Sequence, residues 1–285
     1  MQLLHKTLNT IIPAADKPAA DDKQPDYIQI FLAAKRVEGC SDKMIRYYES
    51  TIRNVISAIN KSPECATTDD IRMYLDKYQQ ESGASKVTID NIRRILSSFF
   101  SWLEDEDYIV KSSVRRIHKV KTRKTVKETY MDETLEIMRD SVDCVRDLAI
   151  IDMLASTGMR VGELVKLNKS DIDFQNRECV VLGKGNKQRK VYFAARTKIH
   201  LKKYLDSRCY ENEALFVSLQ KPYNRLQISG VEIRLRELGR RLNLSKVHPH
   251  KFRRTLATMA IDKGMPIEQV QQLLSHQSVL TVCYG

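Results

Sequence analysis

Three histidines, two arginines and a tyrosine fall close together near the end of the chain. His248-Pro249-His250-Lys251-Phe252-Arg253-Arg254 is followed by Leu273-Leu274-Ser275-His276 and, eight residues later, by Tyr284. Pro249 suits the first turn of a helix, which places His250 and Arg253 at i and i+3 on one face. A helix N-terminus already favours an anion there. The next helix has Pro266 near its start and Ile267, Val270, Leu273 and Leu274 at helical spacing, so it packs on the core and delivers His276 at its far end. Cationic side chains, imidazoles and a phenol, with no acidic cluster to hold a metal, can bind a phosphate diester and attack it.

Earlier elements must bring further groups to this face. Met131-Asp132-Glu133 opens a helix through Leu135 and Met138, and residues 145–156 form a long apolar helix broken at Thr157-Gly158. Arg160 stands beside that turn, ahead of Val161, Glu163, Leu164, Val165 and Leu167. Taken alone, Arg160 reads as a helix-end ion pair with Glu163. A short sheet follows, with residues 177–182 as one strand, Gly183-Lys184-Gly185-Asn186-Lys187 as the turn, and residues 189–193 as its return. Lys184 on this hairpin can extend an ammonium into a cleft; ordinary hairpin chemistry also accounts for it, and Lys187 is its rival. The chain is helical again after Thr197 to about residue 208. Leu215-Phe216-Val217 is a brief extended piece, and residues 229–243 form the helix that leads into the tail.

The first part of the chain has a different character. Residues 1–24 are small, polar and broken by Pro13 and Pro18, so a flexible N-terminal arm is expected. Four helices follow. The first covers about 26–38, the second is capped by Ser41, the third opens at Thr68-Asp69-Asp70 and stops near Gly83, and the fourth begins at Ser85 or Lys86. Their apolar spacing predicts a helical bundle over 25–107. Arg93, Arg94, Arg46, Arg53 and Lys43 can lie on a DNA-facing surface or on an ordinary solvated one. Residues 108–128 then read as a basic linker. Lys111, Arg115, Arg116, Lys119, Lys121, Arg123, Lys124 and Lys127 run without an acid before Glu128, and such a stretch can follow a phosphate backbone.

Charge agrees with that division. The 285 residues carry a formal net charge of +12; residues 1–107 hold 14 basic and 17 acidic side chains, and residues 108–285 hold 34 and 19. The half with the histidine–arginine tail therefore expects a polyanionic partner. The six cysteines (Cys40, Cys65, Cys144, Cys179, Cys209, Cys283) form no pair at metal-ligand or redox spacing and read as reduced thiols, Cys283 as a small buried side chain. No apolar stretch suits a membrane span or signal peptide, so a soluble cytoplasmic protein is expected.

Five fragments in order carry a family resemblance: Thr157-Gly158-Met159-Arg160-Val161-Gly162-Glu163-Leu164, Gly183-Lys184-Gly185-Asn186-Lys187-Gln188-Arg189, His250-Lys251-Phe252-Arg253, Leu274-Ser275-His276 and Tyr284. Together they resemble a tyrosine recombinase of the phage integrase family, the site-specific DNA recombinases, over roughly residues 25–285. The resemblance implies a mostly α fold with a small antiparallel β-sheet. A helical core-binding domain at 25–107 and the linker would precede a catalytic domain at 129–285. It implies Arg160 as the first catalytic arginine, Lys184 as the hairpin lysine, His250 with Arg253 as the histidine and second arginine, His276 as the later histidine, and Tyr284 as nucleophile. Glu163 matches a position that supports the first arginine. His248 competes with His250, but only His250 has an arginine at i+3. Arg93, Arg94, Arg115, Arg116, Lys119, Lys121, Arg123 and Lys124 are the expected DNA contacts, and no cofactor or metal is expected.

The chemistry these roles require stands independently. A diester repels a nucleophile and gains charge on its equatorial oxygens in the transition state, where two guanidiniums can each donate paired hydrogen bonds. Lys184 would protonate the leaving 5′ oxygen, His250 accept the tyrosine proton, and His276 donate to a phosphate oxygen. Three functions compete: strand exchange through a 3′-phosphotyrosyl intermediate, nicking and rejoining of the type IB topoisomerase kind, and silent DNA binding. Relatives place the tyrosine one residue farther from the second histidine, often have histidine where Arg254 stands and glycine where Ser275 stands, and continue past the position of Gly285. From that ending a monomer or weak dimer is expected in free solution, with a homotetramer in the synaptic complex.

Overall fold

The computed structural model describes residues 25–122, 127–183 and 188–274. The 1–24 arm, Arg123, Lys124, Lys184, Lys187, His276, Cys283 and Tyr284 lie outside the described residues. The chain divides into two units, 1–123 and 124–285, and it is mostly helical with one small antiparallel sheet.

In the first unit, four helices start where side chains can cap them. Asp26 accepts from the amides of Ile28 and Gln29 ahead of α1 (Tyr27–Val37), and Ser41 accepts from Met44 at the start of α2 (Asp42–Ile59). Thr67 and Asp70 form a reciprocal capping box on α3 (Thr68–Ser82). The Lys61 ammonium on Asp70, with the Thr67 amide and hydroxyl, holds that carboxyl down at about 2. Ser85 caps α4 (Lys86–Asp105). Phe31, Ile52, Ile71, Leu96, Phe99, Phe100 and Leu103 are fully buried between the helices. Each contributes roughly 1.5–3 kcal/mol of burial before entropy is counted.

The segment read as a linker begins as part of this bundle. Val114 is buried in its core, and Ile109, Ile117 and Val120 pack against it. The Ser112 amide donates to Glu104 at 3.0 Å and the Val120 amide to Asp90 at 3.1 Å. The basic residues stand out in the sequence, but the aliphatic ones between them set the path of the chain.

The second unit is built around α6 (Val145–Thr157), buried along most of its length and packed by α5 (Asp132–Asp140), α8 (Ala195–Asp206) and α10 (Pro249–Asp262). A single-turn α7 (Val161–Leu164) leads to three antiparallel strands in the order β1 (Ile172–Asp173), β2 (Glu178–Leu182), β3 (Gln188–Tyr192). Strand β1 is too short to show an alternating pattern in sequence. Cys179 pairs with Val191, and Val181 with Arg189. The extended piece at Leu215-Phe216-Val217 is buried; the Leu215 amide donates to the Leu167 carbonyl and the Leu226 amide to the Phe216 carbonyl. Then come α9 (Ile228–Arg241), α10 and α11 (Ile267–Leu274). Among the described residues no helix is long and apolar enough to cross a membrane.

Candidate active site

Helix α6 ends at Gly158, whose φ of +59° is a left-handed conformation that glycine adopts without strain. A Cβ there would meet Leu274 Cδ2 at 2.8 Å and Leu256 Cδ2 at 2.9 Å. Gly158→Ala is therefore expected to lower stability by about 1–3 kcal/mol, read as a shift of the urea midpoint at unchanged slope. An unshifted midpoint would contradict the tight approach of α11 and α10 to this turn.

The turn delivers Arg160 to the first residue before α7. Its backbone amide donates to Glu163 Oε2 at 2.8 Å and its Nη1 to Oε1 at 2.9 Å, while the side chain stays 34% exposed. The helix-end ion pair is thus present. Glu163 itself is buried, and it has a second partner. Arg189 of β3 donates from Nη1 to Oε1 and from Nη2 to Oε2, both at 2.8 Å. Burial opposes ionisation of Glu163, but the Arg189 fork and the Arg160 amide and guanidinium outweigh it and hold the carboxyl below the ordinary glutamate range.

Helix α10 supplies the other half. Pro249 occupies its first turn, and the extended His248 before it donates its amide to the Tyr130 hydroxyl at 3.4 Å. His250 and Arg253 follow one turn apart, His250 exposed and Arg253 buried. Arg253 Nη1 donates to the Gly158 carbonyl at 2.6 Å, and Nη2 to the carbonyl of Leu274 on α11. Burial, followed by the guanidiniums of Arg160 and Arg189, lowers Arg253 to about 9, so it remains a cation at neutral pH. His250 is held below the ordinary histidine value by desolvation, then by Arg253, Arg160 and Arg254. Its imidazole is therefore neutral near pH 7 and able to accept a proton.

Arg160, Arg253 and His250 thus act within one positive field, although ninety residues of chain separate the first from the other two. His248, the rival histidine, is also lowered, by burial, then Arg254 and His250. Lys251 between them is buried, with Nζ 4.6 Å from the centre of the Tyr130 ring and 3.4 Å from Glu128 Oε2. Among the described residues no group of three or more His, Cys, Asp or Glu could hold a metal ion. Strands β2 and β3 carry the chain up to residue 183 and on from 188, on either side of the hairpin position expected for Lys184; α11 is described as far as Leu274, and His276 and Tyr284 lie outside the described residues.

The expected DNA contacts of the first unit divide in two. Arg93 Nε is 2.9 Å from Asp90, the carboxylate that also holds the Val120 amide, and its side chain is only 14% exposed. That pair lies within α4, and it is Asp90 that holds the segment behind the helix. Arg94, Arg116, Lys119 and Lys121 are exposed, and Arg115 is exposed while paired with Glu104 at 2.9 Å. Sequence reasoning gave Arg189 no function. Its signal was an arginine on the same face of an alternating strand as the buried Val191, two residues before it.

Residues 111–284 match the profile described as the phage integrase family, and residues 27–109 match the phage integrase N-terminal SAM-like domain. The tyrosine recombinase XerC of Oceanobacillus iheyensis is 30% identical over 272 residues, covering 89% of this chain and 88% of the relative. The crystal structure of XerA recombinase is 30% identical with a TM-score of 0.51, covering 90% of this chain and 91% of that one. A lambda integrase dimer bound to a core site shares the fold at 19% identity with a TM-score of 0.74, over 90% of this chain and 95% of the other.

Proposed function

The chain belongs to the phage integrase family and is a tyrosine recombinase, and from that premise we propose that it cuts and rejoins double-stranded DNA through a covalent 3′-phosphotyrosyl intermediate without a metal. Arg253 reaches the Gly158 carbonyl, two residues before Arg160, from the helix that also carries His250, and this approach supports the reading above all else. Two guanidiniums would hold the non-bridging oxygens of the scissile phosphate and take up the charge that grows on them. His250 would accept the phenolic proton of Tyr284 as its oxygen bonds to phosphorus. As the bond from phosphorus to the 5′ oxygen breaks, Lys184 would give that oxygen a proton, with His276 donating to a phosphate oxygen. The phosphotyrosyl ester keeps the bond energy, so an incoming 5′ hydroxyl reverses the step on a new partner strand.

In this reading residues 25–107 form a core-binding domain, and the exposed basic side chains Arg94, Arg115, Arg116, Lys119 and Lys121 follow the phosphate backbone, together with Arg123 and Lys124. Four copies would assemble on paired sites in the cytoplasm. The direct test is a duplex nicked just past the cleavage site, which loses its short leaving strand and traps the intermediate. Incubated with this substrate in excess chelator, the protein is expected to form an adduct that resists denaturant, with the DNA attached to the peptide containing Tyr284. Site-specific binding without adduct would reduce the protein to a silent DNA-binding module. Relaxation of supercoils with no dependence on site would favour the topoisomerase-like alternative.

A further inference from the structure

Glu163 poses an electrostatic problem. It is a buried anion held against Arg160, the guanidinium that the proposed reaction requires to meet another anion. An isolated Arg160–Glu163 pair is neutral overall and offers a phosphate little net attraction. The Arg189 fork changes this balance. Two donors from Arg160 and two from Arg189 occupy the carboxylate, which has about four lone-pair directions in all. The trio then keeps one net positive charge beside the further charge of Arg253. Arg189 is 11% exposed, and its Nε is buried with no hydrogen-bond partner among the described residues. Its guanidinium directs both terminal nitrogens at Glu163. The same fork fixes the second residue of β3, at the root of the hairpin that carries Lys184.

We propose that Arg189 is a positioning residue: its two-pronged pair with Glu163 offsets that carboxylate and leaves the charge of Arg160 available to a phosphate diester. The inference rests on the reading of Arg160 as a phosphate ligand. Lysine at this position would supply the charge without the fork, and glutamine would supply neither.

Three variants of the full chain test it: Arg189→Gln, Arg189→Lys and the double variant E163Q/R189Q. Each is measured for affinity toward inorganic phosphate and for single-turnover cleavage of the nicked duplex, with folding checked by circular dichroism. R189Q is expected to weaken phosphate binding and slow cleavage by about tenfold or more, a typical loss when a charge partner is removed and its buried mate is left behind. E163Q/R189Q removes both charges together and should recover most of the phosphate affinity. R189K should bind phosphate within about threefold of wild type yet cleave more slowly, because an ammonium cannot hold both oxygens in one plane. A merely structural stitch would leave the double variant no better than R189Q, and that result overturns the proposal, as does wild-type phosphate affinity in R189Q. If R189Q does not fold, the double variant, which buries no lone carboxylate, decides together with R189K. Wild-type protein that binds phosphate but forms no adduct would refute the recombination chemistry and leave Arg189 to the phosphate series. Wild-type protein that binds no phosphate at millimolar concentration would overturn the Arg189 inference.

Discussion

Arg160→Ala is expected to slow cleavage of the nicked duplex by about 10²–10³-fold, the usual loss when a preorganised donor to a developing oxyanion is removed. The effect should fall on the chemical step more than on DNA binding. DNA affinity would be spread over many backbone contacts, whereas Arg160 would meet one phosphate. Folding should change little, because Arg160 is one-third exposed and Glu163 keeps the Arg189 fork when it goes. Arg160→Lys separates charge from shape: the ammonium preserves the field but cannot donate two parallel hydrogen bonds, so cleavage should recover only in part. Pre-steady-state cleavage with saturating protein makes the measurement. A rate within threefold of wild type in the alanine variant would remove Arg160 from the reaction.

Arg253→Met should abolish detectable cleavage and also lower stability by about 2–4 kcal/mol, from the buried acceptors it leaves behind. Arg253 is 5% exposed, and its guanidinium takes the carbonyls of Gly158, the C-cap of α6, and of Leu274 on α11. The end of α6 directs partial negative charge toward it. Methionine fills most of the space but leaves those carbonyls without their cationic donor. One effect runs the other way: the change removes a cation from beside Arg160 and Arg189, whose repulsion helps lower Arg253 to about 9. The net sign remains destabilising, since unsatisfied buried acceptors outweigh repulsion that solvent around Arg160 already screens. Urea unfolding measures the stability loss, and adduct formation reads the chemistry. A variant as stable as wild type would show that these carbonyls have other partners available, and retained cleavage would remove Arg253 from the site.

The local features were legible in the residues alone. Ser41 and Ser85 start helices because their side chains satisfy amides three residues away, whereas the third helix, read as opening at Thr68-Asp69-Asp70, takes its cap one residue earlier at Thr67. Pro249 before His250 and Arg253 puts the last two on one helical face, and Gly158 stops α6 because only glycine takes its φ without strain. The order of short motifs was enough to identify the family, since motif order is a property of the chain itself.

Tertiary structure decided what those motifs meet. Arg160 shares a field with Arg253, and Arg253 closes onto both Gly158 and Leu274, through contacts between segments that sequence spacing does not relate. The basic segment after α4 docked through Val114, because burial of a few aliphatic side chains outweighed the exposed charge around them. Glu163 gained Arg189 because the register Val181↔Arg189 aims that side chain inward at a carboxylate 26 residues earlier. Periodicity and capping act over one or two turns and are written in the local order of residues. The charge balance at a site is set by long-range packing, which exists only once the chain has folded.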